Sequence, residues 1–275
     1  MAQWIFFDVG STLVDEAAAY DHRVRDMISG TSITLQEFDN ARIAFAKQGL
    51  DGNSAAIKHF GLTKTPWHPE DEVPYSDAHD TLAALCGKGY QLGIIANQSS
   101  GTAERLELWG LRKFFGVIAA SAEIGYAKPN KKIFERAFEI AGCCAEKSVM
   151  VGDRLDNDMI PAKALGMKTV WIKNGLAKYQ GAEFGEGIVD YQINKLSERI
   201  ILVPIFAPWL WRGLFQLPMV RKSLNRKNRK SRDCLIAIFT RNSSAGAQPI
   251  SPKLLKGLGW SRLSARSSAS KCIAF

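Results

Sequence analysis

The chain has 275 residues, 46% of them apolar and 23% charged, with a formal net charge of +9. That balance excludes a wholly disordered chain, a collagen-like repeat and a multispan membrane protein, and the length suffices for one large or two modest domains. The positive charge suggests a nucleic-acid or membrane partner, but Ile200 to Phe275 hold 14 Lys/Arg against one acid, Asp233, leaving 22 bases and 26 acids in residues 1–199, a net of −4. The five Cys are odd in number and form no CxxC pair. Neither a disulfide framework nor a zinc site is supported. With no basic stretch followed by an apolar one at the start, the expectation is a cytoplasmic protein.

Trp4 to Val9 is a short apolar run closed by Gly10-Ser11-Thr12, the pattern of a buried strand. From about Asp15 to Phe60 the sequence reads as helical. Thr34-Leu35-Gln36-Glu37 is a capping box, Phe38, Ile43 and Phe45 help form an apolar face, and Gly49 to Asn53 read as a turn. Pro66, Pro69 and Pro74 mark a linker. Beyond it the pattern predicts helix over 76–86, strand over 90–96 and helix over 102–109. Strand over 116–120 and helix over 130–140, entered through Pro129, follow. The last elements are strand over 148–151, helix over 159–165 and strand over 168–172. Strands alternating with helices imply a Rossmann-like, doubly wound α/β parallel sheet, which binds ligands at the carboxyl ends of its strands.

Chemistry-bearing residues collect at those ends. Asp8, Gly10 and Thr12 follow the first strand, Asn97 and Gln98 the second, and Asp153, Asp156 and Asp158 the fourth, with Lys128 ahead of the Pro129 helix. Singly, each has an ordinary structural reading: turn residue, helix cap, solvated lysine. Their joint placement at successive strand ends favours function. Carboxylates at one sheet edge make a hard oxygen site suited to Mg²⁺, and a carboxylate beside such a metal can attack phosphorus. A lysine and the N–H groups of the Gly10-Ser11-Thr12 turn would stabilise phosphoryl oxygens.

Ile5 to Leu13 resembles the first motif of haloacid dehalogenase-like hydrolases. Gly93 to Asn97 is similar to the second, and Ala127-Lys128-Pro129-Asn130 to the third. Val151 to Asp158 is similar to the fourth, followed by Ala164-Leu165-Gly166-Met167. The resemblance covers about residues 3–195, in the family's order. It implies a core of residues 1–14 and 73–199 with an inserted α-helical cap over 15–72 that closes on the site and selects a small phosphorylated substrate. It also implies that Asp8 is the nucleophile. Mg²⁺ would be held by Asp8, the Gly10 carbonyl, Asp153 and Asp158, with Asp158 binding through water or orienting Lys128. Thr12, Asn97 and Lys128 would contact the phosphoryl group.

Two positions depart from the family pattern. Phosphatases of this family carry a second Asp two residues after the nucleophile, which protonates the leaving oxygen and activates water; here that residue is Gly10. General acid–base catalysis is worth about 10²–10⁴-fold, so Gly10→Asp is expected to raise the rate. The hydroxyl residue of the second motif is Ala96, with Ser99 or Ser100 as substitutes. Three readings follow: a Mg²⁺-dependent phosphatase that borrows its acid, with Asp15, Glu16, His22 and His59 as cap candidates; a phosphonate-type hydrolase using Lys47 or Lys58; and a catalytically impaired phosphate- or partner-binding protein. A dehalogenase fits less well, because those enzymes work without Mg²⁺ and the acids are retained.

The tail, 200–275, reads as a basic, poorly ordered extension. Ile200 to Trp211 is apolar but too short to span a bilayer, and Arg221 to Arg232 carry seven bases. Contact of 200–232 with an anionic membrane is the alternative. No fold-level motif for nucleic acid is present. A reading-frame shift near residue 199 would give the same texture.

Overall fold

In the computed structural model, residues 4–198 are described. Strand β1, Trp4–Phe7, is buried along its whole length. Strand β2 is Val14–Asp15, followed by helices α1 (Ala17–Ile28), α2 (Leu35–Ala46) and α3 (Gly52–His59). Strand β3, Val73–Pro74, pairs antiparallel with β2. Then come α4 (Ala78–Gly87), β4 (Gln91–Ala96), α5 (Thr102–Leu108), β5 (Phe115–Ala120), α6 (Ser121–Ile124), α7 (Lys131–Ala141) and β6 (Ser148–Gly152). A π-helical turn, Leu155–Met159, leads into α8 (Ile160–Ala164), β7 (Lys168–Ile172) and β8 (Tyr191–Ile193).

The main sheet has the order β5-β4-β1-β6-β7-β8, and its neighbours are parallel. Side chains alternate across it. Ile5 and Phe7 join Leu82, Leu85 and Leu106 on one face; Phe6 joins Ile133, Phe134 and Ala162 on the other. Burial of each large side chain is worth about 1.5–3 kcal/mol, which fixes apolar β1 as a central strand covered on both faces. This is the doubly wound α/β fold expected.

The helices α1–α3 lie between the two crossings, β2 and β3, and pack around Val24, Met27, Phe38 and Ala56. The Thr34 capping box forms: its Oγ1 accepts from Glu37 N–H at 3.2 Å, and Thr34 N–H donates to Glu37 Oε2 at 2.8 Å. Gly52 and Asn53, read as turn, are instead the first turn of α3, whose N-cap is Asp51. The helix expected over 159–165 is preceded by the π-helical turn, in which Met159 N–H bonds to the Arg154 carbonyl at 3.2 Å. Among the described residues no helix is long and apolar enough to cross a membrane. The membrane, nucleic-acid and extension readings of 200–275 fall outside the described residues.

Candidate active site

Asp8 leaves β1 with its N–H still bonded to the Val151 carbonyl, 2.9 Å away, so it stands beside the end of β6, where Asp153 begins the acidic loop. The π-helical turn swings Asp158 back over Gly152. A Cβ on Gly152 would meet the Asp158 carboxylate at 2.3 Å, so glycine is required there for the acid to enter. Asp158 Oδ2 accepts from Arg154 N–H at 3.0 Å. Its other oxygen, Oδ1, lies 2.6 Å from Lys128 Nζ, which is also 2.8 Å from Asp8 Oδ1. The Lys128 side chain is 1% exposed and that of Asp158 0%.

Two carboxylates therefore share one ammonium, and a third stands close to them. Carboxylate oxygens of Asp8, Asp153 and Asp158 lie within 4.8 Å of one another. Burial, then the charges of Asp158 and Asp8, raise Asp153 well above the usual carboxylate range. Asp158 is pushed up to about 6 by burial, with Asp8 adding to the rise and Lys128 opposing it. Burial alone would lower Lys128, but Asp158 and Asp8 outweigh it and hold the ammonium charged. An all-oxygen donor set with uncompensated negative charge fits a hard divalent cation such as Mg²⁺.

These groups lie at the floor of a cavity of about 900 Å³. Asp8, Gly10, Ser11, Asn97, Lys128 and Asp153 line it from the sheet edge, and Glu16, Tyr20, Arg42 and Asp51 from the insertion. Arg154 Nη1 reaches across to Asp51 Oδ2 at 3.1 Å. Asp156, read as structural, accepts from the Arg154 guanidinium at 3.0 and 2.5 Å.

Asn97, expected to contact the phosphoryl group, lines the cavity and also grips the backbone of Lys128. Its Nδ2 donates to the Lys128 carbonyl at 2.9 Å and its Oδ1 accepts from Lys128 N–H at 2.6 Å. Both ends of the amide thus bond to the backbone of Lys128, with one Nδ2 N–H left over. Thr12 is 0% exposed and is absent from the cavity wall, where Ser11 stands instead. Ser99 and Ser100 are also off the wall, while Gln98 is on it. Of the four acid candidates, Asp15 and Glu16 line the cavity, whereas His22 and His59 are exposed elsewhere. Lys47 and Lys58 are exposed and line no part of it.

Glu16 carries information that the sequence could not. A Cβ built on Gly10 would lie 2.3 Å from Glu16 Oε1 and 2.6 Å from Oε2. The space that a side chain at position 10 would enter holds the movable end of Glu16, so an acid introduced by Gly10→Asp would have to share that space with it. Burial, then the charges of Asp8 and Glu72, push Glu16 up to about 8, against a hydrogen bond from Ser11 Oγ at 3.1 Å. Ser11 adopts φ +51°, a strained conformation for a residue with a Cβ. Arg42, Asp51, Arg154 and Lys173, which also line the cavity, went unassigned in the sequence. Only Arg154, next to Asp153 in the acidic motif, had a local signal.

A sequence profile of haloacid dehalogenase-like hydrolases matches residues 5–172. The glyceraldehyde 3-phosphate phosphatase of Methanothermobacter thermautotrophicus is 30% identical over 204 residues, 65% of this chain and 88% of that protein. Pyrimidine 5'-nucleotidase YjjG of Escherichia coli is 41% identical over 194 residues, 62% and 85% of the two chains. Among solved structures, magnesium-bound YfnB of Bacillus subtilis superposes with a TM-score of 0.52 at 25% identity, covering 72% of this chain and 96% of that one. With Asp8, Lys128, Asp153 and Asp158 in one cluster and a profile match over more than half its length, the chain belongs to the haloacid dehalogenase-like hydrolase family.

Proposed function

We propose that the protein is a cytoplasmic, Mg²⁺-dependent phosphatase that hydrolyses a small phosphorylated metabolite through an aspartyl phosphate on Asp8. The observation that carries this reading is Lys128 Nζ set between Asp8 and Asp158 at 2.8 and 2.6 Å. Of those two acids only Asp8 lines the cavity, so it is the one a substrate can reach. Lys128 neutralises part of the charge that would otherwise repel a phosphate, and its ammonium is aimed where phosphoryl oxygens gain charge.

Asp8, Asp153, Asp158 and the Gly10 carbonyl would hold the ion, which supplies Lewis-acid neutralisation of phosphoryl charge when bound. Residues 15–72 would act as a cap over a core of 1–14 and 73–199, with the Arg154–Asp51 pair joining the two across the cavity. Water exclusion by such a cap strengthens every charge interaction inside. The relatives named above act on a triose phosphate and on nucleotides, so their likeness supports a reaction class, and a cavity of about 900 Å³ suits substrates of that size.

The phosphonate reading is disfavoured, because no lysine of residues 15–72 lines the cavity. Hydrolysis of p-nitrophenyl phosphate tests the main reading. Turnover is expected with Mg²⁺, lost on chelation and lost in Asp8→Asn, with phosphonoacetaldehyde left intact. Full activity in folded Asp8→Asn would overturn it.

A further inference from the structure

We infer that Glu16, supplied by the insertion, is the acid–base residue of this site. The inference rests on the reading of Asp8 as nucleophile. An alkyl phosphate loses an alkoxide, which leaves slowly unless a proton reaches its oxygen as the P–O bond breaks. Few groups near Asp8 are free to give one. Asp8 and Asp158 both hold Lys128, and Asp153 lies in the same acid cluster. Asp15 Oδ1 accepts from Ala17 N–H at 2.9 Å, which ties that carboxyl to the start of α1. Glu16 has no cation partner among the described residues, and its one side-chain hydrogen bond comes from the Ser11 hydroxyl.

Position supports the role more strongly than elimination. Along the loop after β1, Val9 points into the core at 1% exposure, while Asp8 and Gly10 both line the cavity. A side chain at position 10 would therefore stand on the same side as the nucleophile. That volume holds the Glu16 carboxyl, whose Oε1, Cδ and Oε2 lie 2.3–2.6 Å from where a Cβ on Gly10 would be. Gly10 is absent from the glycines with positive φ, so the backbone does not demand glycine here, and its missing side chain leaves room for the Glu16 carboxyl. The neighbouring loop is built around the same carboxyl. Ser11 takes φ +51° to aim its hydroxyl at Glu16, and a Cβ on Gly175 would strike that hydroxyl at 2.7 Å.

The steps balance as follows. Asp8 Oδ attacks phosphorus and the P–O bond to the alcohol breaks. Protonated Glu16 transfers its proton to the departing oxygen, leaving the aspartyl phosphate and a Glu16 carboxylate. That carboxylate then takes a proton from water as the water oxygen bonds to phosphorus and the P–Oδ bond breaks. Inorganic phosphate leaves, and Asp8 and protonated Glu16 are regenerated.

Glu16→Gln, close in shape, separates this from a packing role when two substrates are compared. With an alkyl phosphate, kcat is expected to fall about 10²–10⁴-fold. With p-nitrophenyl phosphate, whose leaving group needs no proton, the first turnover persists as a burst of p-nitrophenolate. The second step stalls, so radiolabelled phosphate accumulates on the protein and is trapped by acid quench. Calorimetric Mg²⁺ affinity stays at the wild-type value. Moving the acid should rescue it: Gly10→Asp combined with Glu16→Ala is expected to regain about tenfold or more over Glu16→Ala on the alkyl phosphate. Equal losses on both substrates without trapped phosphoprotein, or unimpaired alkyl-phosphate turnover in Glu16→Gln, would overturn the role of Glu16. Persistent activity in Asp8→Asn would instead overturn the reading beneath it.

Discussion

Lys128 and Asp158 meet at 2.6 Å with both side chains shielded from solvent, and the same ammonium serves Asp8 at 2.8 Å. One buried cation thus offsets part of the charge of two acids.

Removing that cation leaves the carboxylates uncompensated. Lys128→Met is expected to destabilise the metal-free protein by about 3–5 kcal/mol, the usual cost of breaking a buried pair from one side. Mg²⁺ should recover part of the loss, since it binds the folded state. Urea denaturation in chelator and in Mg²⁺ checks both statements. Equal stability of variant and wild type in chelator would show that the acids are neutralised without Lys128.

The parts of this site that the sequence made legible are those written as local runs. Apolar β1, β4 and β6 end in polar residues, and a parallel sheet brings those ends to one edge, so Asp8, Lys128, Asp153 and Asp158 could be gathered before any coordinates. What stayed hidden depends on the path of the chain between runs. β2 and β3 are two residues each and carry no period, yet their pairing folds Glu16 back over Gly10. β8 exposes Tyr191 and Gln192, so it lacks the buried run that marked the other strands. Asn97 and Lys128 are 31 residues apart, and nothing local says that the amide bonds to a backbone. Thr12 follows Ser11 in a turn whose strained φ decides which hydroxyl meets the cavity.

The bonds from Asn97 to the Lys128 backbone predict that it acts by positioning the lysine. Asn97→Ala removes both hydrogen bonds to the Lys128 backbone, and the ammonium loses its fixed height between the acids. A drop in kcat of about tenfold to a hundredfold is expected, with KM changed far less. Asn97→Asp keeps the acceptor for Lys128 N–H and should fall between. Steady-state kinetics of the two variants decide it; a rise in KM at constant kcat would mean that Asn97 binds substrate instead.

Asp51 closes the cavity from the insertion while capping α3. Its Oδ2 meets Arg154 at 3.1 Å, and its carboxylate accepts from Ser54 N–H at 3.3 Å and Ser54 Oγ at 2.7 Å. The Arg154 charge and the Ser54 hydrogen bonds outweigh burial and hold its carboxyl below the usual range. Asp51→Asn keeps the cap, because Asn is as good an N-cap as Asp, but discards the ion pair. At the value of a partly exposed pair, up to about 1 kcal/mol, KM should rise about threefold to fivefold with the melting temperature little changed. An unchanged KM would show that Arg154 does not tie insertion to core.

Asp190 locks the far edge of the sheet, away from the acids of the site. Its Oδ2 accepts from Thr169 N–H at 3.0 Å and Thr169 Oγ1 at 3.1 Å, and its Oδ1 from Lys163 at 2.9 Å and Lys168 at 3.3 Å. Burial works against the charge, but Lys163, the Thr169 N–H and Lys168 together lower the carboxyl below 3.8. A folded-state value below the unfolded one stabilises the protein at every pH above the unfolded value and is lost as pH falls through the folded one. Asp190→Asn keeps an acceptor and loses the charge, so it should cost about 1–2 kcal/mol at neutral pH. The difference from wild type should narrow at acid pH, as the pH falls through the lowered value of the native carboxyl and it takes up its proton. Comparing the two proteins by urea denaturation at both pH values cancels the other acids, which they share. A gap of the same size at low pH would place the stabilisation in shape and packing, with no part played by the charge.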